Sequence, residues 1–118
     1  MVDPRPFDVF ATDCPSRSVL DHVTSRWGAL TLAALRPGPR RFNDVARAIG
    51  GISDRMLSQT LKTLEGDGLV VRDEQPGGQR VEYALTPEGE RIADATRHLI
   101  DALYEVMPTL LAPRSAGA

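Results

Sequence analysis

Apolar positions recur at helical spacing through most of the chain, and then change to alternation for one short stretch. The clearest helical stripe lies between Ile52 and Glu65. At about 100° per residue, Leu57, Leu61 and Leu64 fall on one narrow line. Arg55, Gln59, Lys62 and Thr63 lie roughly opposite, and none of them is apolar. Ser53 stands at the N-cap position, and Gly66-Asp67-Gly68 ends the run. The segment therefore predicts a rod with one face built for a core and one wet face carrying hydrogen-bond donors.

The flanking segments give that rod a context. Phe7 to Asp13 has no clear period and reads as an extended lead-in. Cys14-Pro15 opens a first helix, proline being tolerated in its first turn, and Val19, Leu20 and Val23 form its apolar side. Arg26-Trp27-Gly28 breaks the pattern, and Trp27 is expected in core packing. A second, mostly apolar helix is predicted from about Ala29 to Leu35, stopped by Arg36-Pro37-Gly38-Pro39. Phe42, Val45, Ala46 and Ile49 mark a short third helix. Gly50-Gly51-Ile52 then turns directly into the Ser53 helix. Two short helices joined by a glycine-bearing turn form the helix-turn-helix signature.

After Gly68, Leu69, Val71 and Asp73 alternate with Val70, Arg72 and Glu74. A turn at Pro76-Gly77-Gly78 follows, and then Val81, Tyr83 and Leu85 alternate with Arg80, Glu82 and Ala84. This predicts a β-hairpin with an apolar inner face, placed where a wing belongs. Thr86-Pro87-Glu88 combines an N-cap, a proline at the first helical position and an acid at the positive end. The last helix is expected to run to about Met107, where Pro108 interrupts it. Ile92, Ala95, Leu99, Leu103 and Val106 form one stripe, widened by Ile100, Met107 and Leu111. That is more apolar surface than one small core needs, and it points to a subunit interface.

The fold class expected is therefore mainly α with a small β-hairpin. It is a winged helix-turn-helix domain with long N- and C-terminal helices, the last of which presents a subunit interface. The domain should span 14–111, between flexible arms at 1–13 and 112–118.

Composition adds little until charge is resolved along the chain. The 118 residues are 42% hydrophobic and 25% charged, which suits one globular domain. No apolar run can span a membrane and the start has no signal-peptide layout, so a cytoplasmic location is expected. A single cysteine excludes an internal disulfide framework. The net charge of −2 argues against a nucleic-acid partner, but its distribution reverses the argument. From Arg36 to Lys62 six cations face two anions, whereas from Glu82 onward six anions face three cations. A local basic surface on an acidic chain suits specific DNA binding better than indiscriminate coating.

Several blocks in order carry a resemblance: Cys14-Pro15, Arg26-Trp27, Gly38-Pro39-Arg40-Arg41-Phe42-Asn43-Asp44-Val45 and Ile52 to Leu61. They continue with Leu64-Glu65-Gly66-Asp67-Gly68-Leu69-Val70 and Val81 to Gly89. Together the chain resembles the HxlR-type branch of the MarR-like winged-helix transcriptional regulators, over about Cys14 to Leu103. The departures are Thr24-Ser25-Arg26 before the tryptophan and the glycine-rich turn Gln75-Pro76-Gly77-Gly78-Gln79. The resemblance implies a homodimer, joined through its first and last helices, that binds inverted-repeat operator DNA and controls transcription.

On the wet face, Arg55 and Gln59 are candidates to reach base edges, because arginine pairs bidentately with guanine and glutamine with adenine. Ser53, Ser58 and Lys62 suit phosphates. Arg72 and Arg80 flank the wing turn, where a narrow minor groove attracts arginine, and Arg40 and Arg41 suit a phosphate clamp before the third helix. The alternative for each is an ordinary solvated charge. Cys14, at a helix start, is either a reactive thiolate that senses oxidants or an inert residue helping to cap the helix. His22 and His98 have no ligand spacing, so no metal or other cofactor is expected. No nucleophile elbow or other catalytic motif is present, so no enzyme is expected. The main reading is a sequence-specific DNA-binding regulator, acting as a repressor, with any small-molecule effector near the dimer interface. The rivals are a winged-helix protein–protein interaction module without DNA binding, and a redox sensor working through Cys14.

Overall fold

A computed structural model describes residues 6–74, 76–78 and 80–113. Five helices and one hairpin follow in the order α1 (Pro15–Thr24), α2 (Arg26–Leu35), α3 (Phe42–Ala48), α4 (Asp54–Gly66), β1 (Val70–Glu74), β2 (Val81–Leu85) and α5 (Pro87–Leu111). This is the winged helix-turn-helix arrangement.

The central helix is α2, which packs on α1, α3, α4 and α5. Its apolar character on most sides is what that position requires. Leu32 and Leu35 are buried in one cluster with Val45 and Ile49 from the α3 segment, Leu57, Leu61 and Leu64 from α4, Leu69 and Val70 from the wing, and Ala93 from α5. The helix begins earlier than its apolar pattern suggests. Ser25 caps it by accepting the Gly28 N–H at 3.1 Å, so Arg26, Trp27 and Gly28 start α2 instead of separating it from α1. Trp27 is half-buried against the core, with the Arg26 guanidinium 5.1 Å from its ring centroid.

The long helix α5 meets the core through small residues. Its buried positions are Gly89, Ala93 and Thr96, spaced to share one face. At Gly89 an added Cβ would lie 1.9 Å from the Leu69 carbonyl oxygen, so glycine is required for this approach. Thr86 ties the same corner: its hydroxyl accepts the Gly89 N–H at 2.9 Å and donates to the Gly68 carbonyl at 2.7 Å. The predicted stop at Pro108 does not occur, and α5 continues to Leu111. Proline here costs only the hydrogen bond to the Tyr104 carbonyl, within the last turn of a helix held along most of its length.

The large apolar stripe of α5 is left uncovered. Leu99, Leu103, Val106, Leu110 and Leu111 are all exposed. The first helix is shorter than expected, ten residues with none fully buried, and it too shows an apolar side. Phe7, Val9, Val19, Leu20, Val23 and Ile92 line an apolar groove of about 400 Å³ beside it. The lead-in is not extended: turns close through the Ala11 N–H to Asp8 and the Cys14 N–H to Ala11. The expectation of flexible arms falls partly on residues 1–5 and 114–118, which lie outside the described residues.

The hairpin pairs Val70 with Leu85 through to Glu74 with Val81. That register places Val70, Arg72 and Glu74 on one face with Val81, Tyr83 and Leu85. Val71 accordingly points outward. Arg40 adds a further bridge, exchanging backbone hydrogen bonds of 2.9 and 2.7 Å with Tyr83. The segment before α3 thus acts as a short third strand of the wing.

Candidate nucleic-acid interface

The helix-turn-helix is built from α3, a tight turn and α4. Val45 and Ile49 anchor α3 in the core. Gly51 has φ +85°, a left-handed conformation that turns the chain at once toward the Ser53 cap. The Ser53 hydroxyl accepts the Met56 N–H at 3.0 Å, which leaves its own proton to donate outward. Leu57, Leu61 and Leu64 are at most 1% exposed, so the rotation of α4 about its axis is fixed.

That rotation turns Ser53, Arg55, Ser58, Gln59 and Lys62 to solvent together. Thr63 does not join them. It is half-buried and its hydroxyl donates to the Gln59 carbonyl at 3.0 Å. Gln59 borders a cleft shared with Asp21, His22 and Met56, on the side of α4 that faces α1. His22, a lone histidine in the sequence, contacts Asp67 at 2.8 Å and so joins α1 to the end of α4.

The remaining cations sort by partner. Arg17 lies 3.8 Å from Asp21, Arg36 2.7 Å from Asp94 and Arg97 2.8 Å from Asp101, while Arg47 pairs with Asp44 and Arg72 with Glu74. Among the described residues, Arg26, Arg40, Arg41, Arg55, Lys62, Arg80 and Arg91 have no such partner, and of these Arg41, Arg55, Lys62 and Arg80 stand on or beside the helix-turn-helix and the wing. Arg72 is tied down: hydrogen bonding to Glu74, and then to Tyr83, raises its pKa further. Arg40 and Arg41 diverge, as neighbours in extended backbone do. Arg40 lines a cleft with Leu30, Arg97 and Tyr104 between α2 and α5. Arg41 lines a groove with Arg47 and Arg80. Arg47 was not among the residues singled out from the sequence, because its neighbour in space, Arg80, lies in a different element. Gln75 and Gln79 of the wing turn lie outside the described residues.

Cys14 is half-exposed at the N-cap of α1 without making a capping hydrogen bond. Its sulfur lies 3.2 Å from the Ser16 hydroxyl and accepts the Asp8 N–H at 3.3 Å. These contacts, Ser16 first, pull the thiol pKa below its ordinary value. Among the described residues, no group of histidine, cysteine or carboxylate side chains is arranged to hold a metal ion. Nor is any helix long and apolar enough to cross a membrane.

A glycine turn, a helix rotated to present cations and amides, and a wing beside it define a winged helix-turn-helix DNA-binding protein. The chain belongs to the HxlR-like helix-turn-helix family, whose model matches residues 22–109. It is 48% identical over 112 residues to an uncharacterized HTH-type transcriptional regulator of Escherichia coli (strain K12), YtfH, covering 94% of this chain and 89% of that one. A solved structure of the transcriptional regulator ytfH from Salmonella typhimurium superposes with a TM-score of 0.81 at 48% identity, over 89% of this chain and 95% of that one. The reduced form of YodB from B. subtilis superposes with a TM-score of 0.67 at 31% identity, over 80% and 93% of the two chains, and YodB has also been solved after diamide treatment. The chain is a DNA-binding transcriptional regulator.

Proposed function

We propose that this regulator is a repressor that binds an inverted-repeat operator as a homodimer, without catalysis, in the cytoplasm where its DNA partner resides. Each protomer places α4 in a major groove, and the two copies sit about 34 Å apart on one side of the duplex. The folded unit is the segment 14–111, with the residues on either side as arms. The observation that carries the reading is the rotation of α4, whose buried Leu57, Leu61 and Leu64 leave Ser53, Arg55, Ser58, Gln59 and Lys62 exposed together. Arg55 and Lys62 on α4, with Arg41 and Arg80 beside it, have no ion-pair partner among the described residues, whereas Arg17, Arg36 and Arg97 are each held by a carboxylate. Arg55 and Gln59 read base edges, while Ser53, Ser58 and Lys62 hold phosphates. The uncovered stripe of α5 and the apolar groove beside α1 supply the dimer surface, and a small-molecule effector would bind close to it.

Selection of sites from a random DNA pool by the purified chain tests this reading. A palindromic consensus is expected, and absence of enrichment would overturn it in favour of a protein-interaction module. On the selected duplex, Arg55→Ala should cost about 1–3 kcal/mol and relax preference at one base pair.

The contacts on the Cys14 sulfur favour a second reading, regulation by thiol oxidation. The thiolate is the nucleophile in disulfide chemistry, and hydrogen bonds that favour it make Cys14 reactive. With one cysteine per chain, a two-electron oxidant would join Cys14 of two protomers or couple Cys14 to a small thiol. The relative YodB was solved both reduced and after treatment with the thiol oxidant diamide. Operator binding by wild type and Cys14→Ser, each with and without diamide, decides the point. An identical response of the two proteins would end the sensing role.

A further inference from the structure

We propose that Arg41, Arg47 and Arg80 form one binding groove for a DNA backbone phosphate, at the junction of α3 and the wing. The proposal rests on the DNA-binding reading above. It adds Arg47 as a DNA contact and assigns Arg80 to the backbone phosphate instead of to the minor groove expected from the sequence.

The groove is open and has a volume of about 380 Å³. Arg41 enters it from the extended residue that precedes α3, and Arg47 from the end of the same helix. Arg80 comes from the residue before β2, brought there by the backbone pairing of Arg40 with Tyr83. Asn43 and Asp44 line the same groove from the first turn of α3. Three guanidinium groups therefore border one concavity, with a single carboxylate among its lining residues. Asp44 pairs with Arg47 and holds that guanidinium in place. Arg41 and Arg80 have no ion pair among the described residues, and three like charges brought together around one acid favour an anion between them.

The chemistry of that anion follows from its donors. Guanidinium forks match the paired oxygens of a phosphate, and the Asn43 amide supplies a further donor. The groove is open, and Phe42 and Val81 line it beside the polar residues without enclosing it, which suits a phosphodiester passing across it better than an enclosed small molecule. It also lies on α3, one turn of chain away from the exposed face of α4. A backbone contact here sets the register of α4 in the major groove and carries no sequence information itself.

The full chain is titrated with two labelled duplexes, the one selected from the random pool and a scrambled duplex of equal length, between about 50 and 200 mM salt. Variants are Arg41→Ala, Arg47→Ala, Arg80→Ala, Arg47→Lys, Asp44→Asn and, as a distant control, Arg97→Ala. Each groove alanine should lower affinity for both duplexes by the same factor. Each should also flatten the slope of log affinity against log salt by about 0.9 per protomer on the DNA. Arg47→Lys should restore the slope, Asp44→Asn should raise affinity for both duplexes, and Arg97→Ala should match wild type. An unchanged slope in Arg47→Ala, or a loss in Arg80→Ala confined to the selected duplex, overturns the groove. Competition by inorganic phosphate beyond that of chloride at equal ionic strength would assign the groove to free phosphate and overturn it as well. Wild-type protein that binds neither duplex would instead refute the DNA-binding reading, an outcome separate from all of these.

Discussion

Truncating Leu103 measures whether the outer face of α5 is a subunit interface. Leu103 keeps 47% of its surface exposed in the single chain, on the same stripe as Leu99 at 60% and Leu110 at 65%. Replacing leucine by alanine removes three carbons, worth about 2.4 kcal/mol at roughly 0.8 kcal/mol per buried methylene. About half of that is burial already present within one protomer, so roughly 1.1 kcal/mol belongs to the interface. A two-fold axis uses the residue twice, so the dimer loses about 2.3 kcal/mol, a rise of roughly 50-fold in its dissociation constant. Sedimentation equilibrium over a concentration series reads this directly. Glu105→Ala, an exposed polar change on the same helix, is the control, and thermal melting at high concentration separates dissociation from unfolding. A shift of less than about threefold in Leu103→Ala would refute assignment of this stripe to the interface.

Three further substitutions probe the frame around the site. Gly89→Ala forces a methyl to within 1.9 Å of the Leu69 carbonyl oxygen, so it should cost about 3 kcal/mol and lower Tm by on the order of 10 °C; a melt within 2 °C of wild type would be inconsistent with this packing. Thr31 is fully buried and its hydroxyl has no hydrogen-bond partner among the described residues. Thr31→Val should therefore raise stability by about 1 kcal/mol in urea unfolding, and a loss would mean that the hydroxyl is satisfied in solution. Because Ser16 is the largest cause of the lowered Cys14 pKa, alkylation of wild type should reach half its maximal rate at a lower pH than for an ordinary thiol. Ser16→Ala should move that midpoint upward, and superimposable profiles would rule out the hydroxyl as the cause.

What could be read from the sequence was whatever a local period or a local cap decides. Leu57, Leu61 and Leu64 set the rotation of α4 by spacing alone, and the same spacing named Arg55, Gln59 and Lys62 as its outer residues. Ser53 and Thr86 announced their helices because a capping hydroxyl works within three residues. The readings that failed depended on partners elsewhere. Thr63 lies near the outer face by angle, but α1 packs against that flank and covers it. The inward face of β1 could not be chosen from Val70 and Val71, since both are apolar, and pairing with β2 chose Val70. Trp27 and Gly28 interrupt the apolar period yet lie inside α2, because the Ser25 cap sets the start of that helix three residues ahead of its apolar stripe. Pro108 looked like a stop because its residue type outweighed its place in the last turn of a long helix.

Charge follows the same division, and this explains how an acidic chain presents a basic surface. The sequence gives positions of cations but not their partners, which can lie far along the chain: Arg36 pairs with Asp94 across 58 residues. Folding consumes acids of the C-terminal half in such pairs, Asp94 with Arg36 and Asp101 with Arg97. Those carboxylates no longer set the sign of the field over the reading surface, and screening at physiological salt, with a Debye length of about 8 Å, confines what remains to its neighbourhood. Asp44 is an acid kept within the groove between α3 and the wing. It repels the phosphate that Arg41 and Arg80 attract, but it also holds Arg47 where a phosphate can meet it. Such a residue limits affinity for any duplex while fixing the position of one of the groove's cations. A regulator that must leave non-operator DNA gains more from that balance than from another cation.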